Sequence, residues 1–117
     1  MSKIYIAGPM TGISEFNFPA FFAKEEELRS YDYTVFNPAR KDIETNGSGI
    51  QDNPTGDQAL AAAKDGFDLR AALAWDTARI CESDCVYMLS GWEVSKGAFA
   101  EWSLARALGL QIFYEDN

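Results

Sequence analysis

Cys85-Val86-Tyr87-Met88-Leu89-Ser90-Gly91-Trp92-Glu93-Val94-Ser95-Lys96-Gly97-Ala98-Phe99-Ala100-Glu101-Trp102-Ser103-Leu104-Ala105-Arg106-Ala107-Leu108 is the stretch that decides the fold of this chain. Cys85 to Leu89 is apolar and predicts a strand, and Ser90 to Val94 predicts a loop. Ser95 to Leu108 has the period of a helix, because Lys96, Ser103 and Arg106 cluster on one side when wound at about 100° per residue. Gln111 to Tyr114 then predicts another strand.

The same alternation runs through the rest of the chain. Lys3 to Ala7 is a short strand, followed directly by the turn-rich loop Gly8-Pro9-Met10-Thr11-Gly12. Asn17 is placed to cap a helix that Pro19 opens and that runs to about Ser30. Tyr33 to Phe36 predicts the second strand, stopped by Asn37-Pro38. Residues 41 to 66 are polar, carry Gly47, Gly49, Pro54 and Gly56, and predict a long excursion with a helical piece at Gln58 to Lys64. A helix over Phe67 to Glu82 leads into the strand at Cys85. Strands alternating with helices predict one α/β domain over residues 1–117: three layers, with a small parallel sheet of order 2-1-3-4 flanked by helices, flavodoxin- or Rossmann-like. Ligands of such sheets bind beyond the carboxyl ends of the strands at the switch point. Here that point gathers Gly8–Gly12, Ser90–Gly97 and the amino end of the last helix.

Bulk composition narrows the chemistry. The chain has 117 residues, 47% hydrophobic and 24% charged, enough for one sizeable core. A net charge of −8 argues against a nucleic-acid polymer or an anionic membrane as partner, but not against a small nucleotide. No signal peptide or long apolar run is evident, so the expected location is the cytoplasm. The two cysteines, Cys81 and Cys85, are expected to be reduced. There is no histidine. Proton transfer near neutral pH therefore falls to carboxylates, Tyr, Lys or Cys, and neither a metal site nor a cofactor is expected.

Two carboxylates sit where apolar residues belong. Glu101 lies opposite the polar side of its helix, with Ala98, Leu104, Ala105 and Leu108 as ridge neighbours. Asp76 shares a face with Leu69, Leu73 and Ile80 on the preceding helix. A carboxylate there is costly unless it is paired, hydrogen-bonded or open to a cavity. Structural ion pairs are the plain alternative; two inward carboxylates on separate helices favour a cleft that holds both. Tyr5 points opposite to Ile4 and Ile6, and its hydroxyl could reach a cleft carboxylate.

The loop before the last helix suggests a second function. Ser95, the amides of Lys96 and Gly97 and the helix dipole make an anion site, or simply a Ser cap. Gly8 and Gly12 allow the first loop to approach a ligand. Among the aromatic residues of the cleft loops (Phe16, Phe18, Trp75 and Trp92), Trp92 is the candidate to stack on a planar base, with core cover as its alternative. Phe18, Phe21, Phe22 and Leu28 are expected in the core.

Lys-Ile-Tyr-Ile-Ala-Gly-Pro-Met-Thr-Gly at 3–12, Asn-Pro at 37–38, Trp-Asp at 75–76, Asp84 and Gly-Trp-Glu-Val-Ser-Lys-Gly-Ala-Phe-Ala-Glu at 91–101 together resemble the nucleoside 2-deoxyribosyltransferase-like superfamily. The nearest likeness is to a phage and prophage branch of uncharacterised function. Ser-x-Gly-x-x-x-Glu at 95–101 is similar to the deoxynucleoside 5′-monophosphate N-glycosidases. The resemblance implies that Glu101 attacks the anomeric carbon, that Ser95 and Gly97 bind the 5′-phosphate, that Tyr5 orients Glu101 and that Asp76 lies near base and sugar. Those glycosidases carry an Arg where this chain has Thr11, which removes a bidentate phosphate partner. The resemblance also implies a homodimer or larger homo-oligomer.

The expected activity is cleavage of the N-glycosidic bond of a nucleoside 5′-monophosphate-like substrate, by hydrolysis or transfer to a second base. Glu101, Asp76 and Tyr5 are the catalytic candidates. Gly8, Pro9, Met10, Thr11, Gly12, Trp92, Ser95 and Gly97 are the substrate-binding candidates. Asp76 either holds a sugar hydroxyl or protonates the departing base, and retaining glycosidases place two such carboxyls roughly 5–5.5 Å apart. A nucleotide-binding protein without turnover and an NAD-cleaving glycohydrolase are the alternatives.

Overall fold

The computed structural model describes residues 2–116. In β1 (Lys3–Ala7) the side chains alternate: Ile4 and Ile6 enter one core cluster, Tyr5 and Ala7 the other, and all four are fully buried. A strand apolar on both sides belongs inside a sheet covered on both faces. β1 accordingly pairs in parallel with β2 (Thr34–Phe36) on one side and β3 (Cys85–Met88) on the other, and β4 (Gln111–Tyr114) joins β3. The strand order is 2-1-3-4, as the alternation predicts.

Five helices among the described residues complete three layers. α1 (Phe18–Ser30) packs Phe18, Phe21 and Leu28 onto the Ile4/Ile6 face, with Ala61 of α3 (Gln58–Asp65) in the same cluster. α4 (Leu69–Glu82) and α5 (Lys96–Leu108) pack Ile80, Ala98 and Ala105 onto the Tyr5/Ala7 face. α2 (Pro38–Asn46) serves both sides: Ala39 enters the first cluster, and the helix also touches α4. Both cysteines are free, with Cys85 buried and Cys81 exposed.

The structure corrects three sequence expectations. Asn37-Pro38 does more than end β2. Asn37 Oδ1 accepts from the Ala39 amide at 2.9 Å and Pro38 takes the first helical position, so the polar stretch opens as α2. Asn17 stands at the start of α1 but does not cap it; its Nδ2 donates to the Pro9 carbonyl at 3.0 Å and ties the helix to the first loop. The rest of the excursion is docked. Gly12 N donates to Gly56 O at 2.8 Å, and Glu15 N donates to Asn53 O at 2.9 Å. Gly56 has φ +65°, and a Cβ there would meet the Ile13 carbonyl oxygen at 2.3 Å, so only glycine allows this contact.

Beside that contact, Glu15, Phe16 and Asn17 all adopt left-handed φ, at 56°, 54° and 63°. Such conformations cost about 1–2 kcal/mol per non-glycine residue. Burial of Phe16, which the turn drives into the first core cluster, offsets part of that cost, and the Glu15 and Asn17 hydrogen bonds offset more of it.

Candidate active site

The carboxyl ends of β1 and β3 open into a cavity of about 660 Å³. Its walls are the first loop (Gly8, Met10, Thr11), α2 (Pro38, Asp42), α4 (Leu69 to Asp76) and the start of α5 (Ser95 to Glu101). The docked excursion contributes Ile50, Gln58 and Phe67, so the segment expected as a polar loop forms one wall of the pocket. Gln58 Nε2 donates to Thr11 Oγ1 at 2.8 Å and joins that wall to the first loop.

Glu101 and Asp76 face this cavity together. The Tyr5 phenol donates to Glu101 Oε2 at 3.0 Å, and both side chains are buried. Desolvation raises the Tyr5 pKa well above 10, and the neighbouring Glu101 and Asp76 charges raise it further, so the phenol remains a donor. Desolvation likewise lifts Glu101 well above the usual carboxylate range, with the Asp76 charge and a hydrogen bond to Asp76 adding to the rise. Asp76 rises to about 6 through desolvation, opposed by its interactions with Glu101 and Tyr5. The two carboxyls line the same cavity, close enough for the charge of Asp76 to raise Glu101. Ionising one makes ionising the other costlier, so the two do not titrate independently. The Tyr5 bond works against the rise of Glu101 by favouring its ionised form.

Burial alone does not mark a reactive carboxylate, as Glu25 shows. It is as deeply buried as Glu101. Desolvation acts to raise its pKa, yet bonds from Arg40, Asn37 and Arg29 hold it below the usual range. Arg29 Nε lies at 2.7 Å and Asn37 Nδ2 at 2.9 Å. Glu25 fastens α1 to α2, whereas Glu101 meets a phenol and other carboxyls and no cation.

The binding candidates divide. Ser95 caps α5 by accepting from the Ala98 amide at 3.3 Å, and Ser95, Lys96 and Gly97 line the cavity. A Cβ on Gly97 would meet no atom within 4 Å, so the backbone there is open to the cavity. Gly8 also lines the wall, but its reason is internal: a Cβ would fall 2.8 Å from Leu89 Cβ. Met10 and Thr11 face the cavity. Pro9 and Gly12 are not on its wall; they shape the loop through their bonds to Asn17 and Gly56.

Trp92 requires a correction. It does not line the cavity but packs beside Trp102, Phe99 and Tyr114, with ring centroids 4.9, 6.1 and 5.9 Å away. Gly91 with φ +87° turns the loop so that the indole covers the second core cluster. Of the other loop aromatics, Phe16 reaches the cavity, Phe18 is core, and Trp75 lies beneath Lys41 and Arg79.

Sequence reasoning missed Asp42. It is 9% exposed, lines the cavity from α2, and has its pKa raised to about 7 by desolvation and by the Asp76 charge. The signal was present: Asn37-Pro38 as cap and first turn places Asp42 three residues after Ala39, on the buried face. Among the described residues, no group of three or more His, Cys, Asp or Glu is arranged to hold a metal ion, and no helix is long and apolar enough to cross a membrane.

No curated protein and no solved structure matches the chain. Residues 2–114 match the family described as "Domain of unknown function (DUF4406)", and the chain belongs to that family.

Proposed function

We propose that this protein cleaves the N-glycosidic bond of a nucleoside 5′-monophosphate-like substrate through a covalent glycosyl–Glu101 intermediate. The observation that carries the reading is the buried Glu101, held by the Tyr5 hydroxyl at 3.0 Å and facing Asp76 on a cavity wall. The resemblance of residues 95–101 to monophosphate N-glycosidases supports it. Glu101 passes its proton to Asp76, and the resulting carboxylate attacks the anomeric carbon. Tyr5 fixes the attacking oxygen, and protonated Asp76 holds a sugar hydroxyl. The amides and hydroxyl at Ser95–Gly97, with Lys96 at the rim, receive the phosphate. Water, or a second base, then releases the sugar.

A panel of ribo- and deoxyribonucleoside 5′-monophosphates, the matching nucleosides and NAD, followed for free base by chromatography, tests the reading. Base release that disappears in Glu101→Gln supports it; no release from any member overturns it. Binding without turnover is the second reading. Thr11 favours it, because the first loop offers a hydroxyl already bonded to Gln58 where a phosphate clamp would need a cation.

A homodimer or larger assembly, working in the cytoplasm, belongs to the same proposal. Val94 and Phe99 are 90% and 46% exposed at and beside the start of α5, and the docked excursion does not cover them. Light scattering at micromolar concentration should report more than the 13.0 kDa monomer; a monomer would refute the assembly.

A further inference from the structure

Resting on the proposed glycosidic chemistry, we propose that Asp42 is a catalytic residue: the acid that delivers a proton to the departing base. The Asp42 carboxyl is more than nine-tenths buried and lines the cavity, yet among the described residues no side-chain hydrogen bond or ion pair engages it. Its oxygens are not fully enclosed and keep access to the cavity, where a ligand can meet them.

Its neighbours narrow the role. Asp76 on α4 acts on it directly, and Asp42 in turn acts on Glu101 of α5 and on Tyr5 of β1. All three carboxyls line one cavity, from three different helices: Glu101 from α5, Asp76 from α4 and Asp42 from α2. Where α1 meets α2, the buried Glu25 is held by Arg29 and Arg40, so those cations are already engaged. Asp76 interacts with Glu101 and Tyr5, which suits it to hold the nucleophile and the sugar. Asp42 enters the same cavity and interacts with Glu101, Asp76 and Tyr5 through charge alone.

Its ionisation suits the task. A carboxyl at about 7 still holds its proton near neutral pH and gives it up readily. In the first step the bond between the anomeric carbon and the base nitrogen breaks with its electron pair going to the base, while Glu101 bonds to the carbon. The Asp42 proton moves to the base, which leaves neutral, and Asp42 becomes a carboxylate. In the second step water attacks the anomeric carbon, the bond to Glu101 breaks, and the water proton returns to Asp42.

Asp42→Asn, assayed beside wild type and Glu101→Gln, tests the proposal. The substrates are the nucleotides that wild type cleaves in the panel above and the 4-nitrophenyl riboside and 2-deoxyriboside 5-phosphates, whose nitrophenolate leaves without a proton. Asp42→Asn should lose about 100-fold or more in kcat/KM on the nucleotides. It should stay within about threefold of wild type on any nitrophenyl compound that wild type cleaves. On the nucleotides, the wild-type fall in kcat/KM above about pH 7 should be absent from the variant's residual rate, while the fall below about pH 6 remains. Near-wild-type nucleotide cleavage by Asp42→Asn, equal losses on both substrate kinds, or retention of the alkaline fall would overturn the role of Asp42. Glu101→Gln should lose both activities; if it does not, or if wild type releases no base at all, the glycosidase reading itself is what fails.

Discussion

Replacing Asp42 by Asn should stabilise the protein at pH 8 and hardly change it at pH 4. The unfolded Asp42 carboxyl loses its proton near 4, and the folded one near 7. Between those values the folded state binds more protons than the unfolded state, so stability falls as pH rises, and the loss is complete above about pH 8. Each tenfold change in proton affinity is worth about 1.4 kcal/mol and the rise spans about three of them, so ionised Asp42 costs the fold about 4 kcal/mol at most. Asparagine keeps the size of the side chain, carries no charge and forfeits no hydrogen bond. Asp76 and Glu101 titrate in both proteins and cancel to first order in the difference. In a chain of this length 1 kcal/mol moves Tm by about 4 °C, so the variant should melt 10 °C or more above wild type at pH 8, within the roughly 16 °C ceiling, with the gap closing towards pH 4. Thermal melts followed by circular dichroism from pH 4 to 8 measure this. A gap independent of pH, or a variant less stable at pH 8, would show that the Asp42 carboxyl is solvated or partnered in solution and would refute the reasoning.

Other consequences are open to direct measurement. Glu101→Gln and Glu101→Ala should lower base release by about 10³-fold or more, because an amide or a methyl group is no nucleophile; a modest loss would exclude a covalent Glu101 intermediate. Tyr5→Phe removes a charge-assisted bond worth about 1.5–3 kcal/mol, so kcat should drop about 10- to 100-fold; an unchanged kcat would show that Glu101 needs no support from the phenol. Cleavage should decline as pH falls through about 6, where Asp76 takes a proton and no carboxylate is left to attack; a rate flat down to pH 5 would contradict the coupling of the two carboxyls. Gly8→Ala should destabilise by about 1–3 kcal/mol through its collision with Leu89, whereas Gly97→Ala should fold at least as stably as wild type and lose preference for a nucleotide over its nucleoside. Opposite stabilities for the two variants, read by denaturant melts, would reverse the assignment of one glycine to packing and the other to the ligand.

Short-range pattern was enough for much of this protein. The alternation of Ile4, Tyr5, Ile6 and Ala7 marked a central strand, because a residue pointing left or right of a strand is decided by parity alone. The period of Ser95 to Leu108 put Glu101 on a buried face, because 3.6 residues per turn is a property of the backbone. Parallel order and the switch point followed from crossover handedness. What the sequence did not determine depended on contacts between distant residues. The cap and spacing of α2 turn Asp42 inward, but only the packing of α2 against α1 and α4 decides that this inward face meets the cavity. The course of residues 53–57 is set by their bonds to Gly12 and Glu15, some 40 residues earlier in the chain. Trp92 could have turned to the cavity or to the core; the rings of Trp102 and Tyr114, brought beside it by α5 and β4, decided for the core. Local periodicity says which residues turn inward, but a pocket is a gap between elements, and only their packing together determines which inward residues meet a neighbour and which meet the cavity.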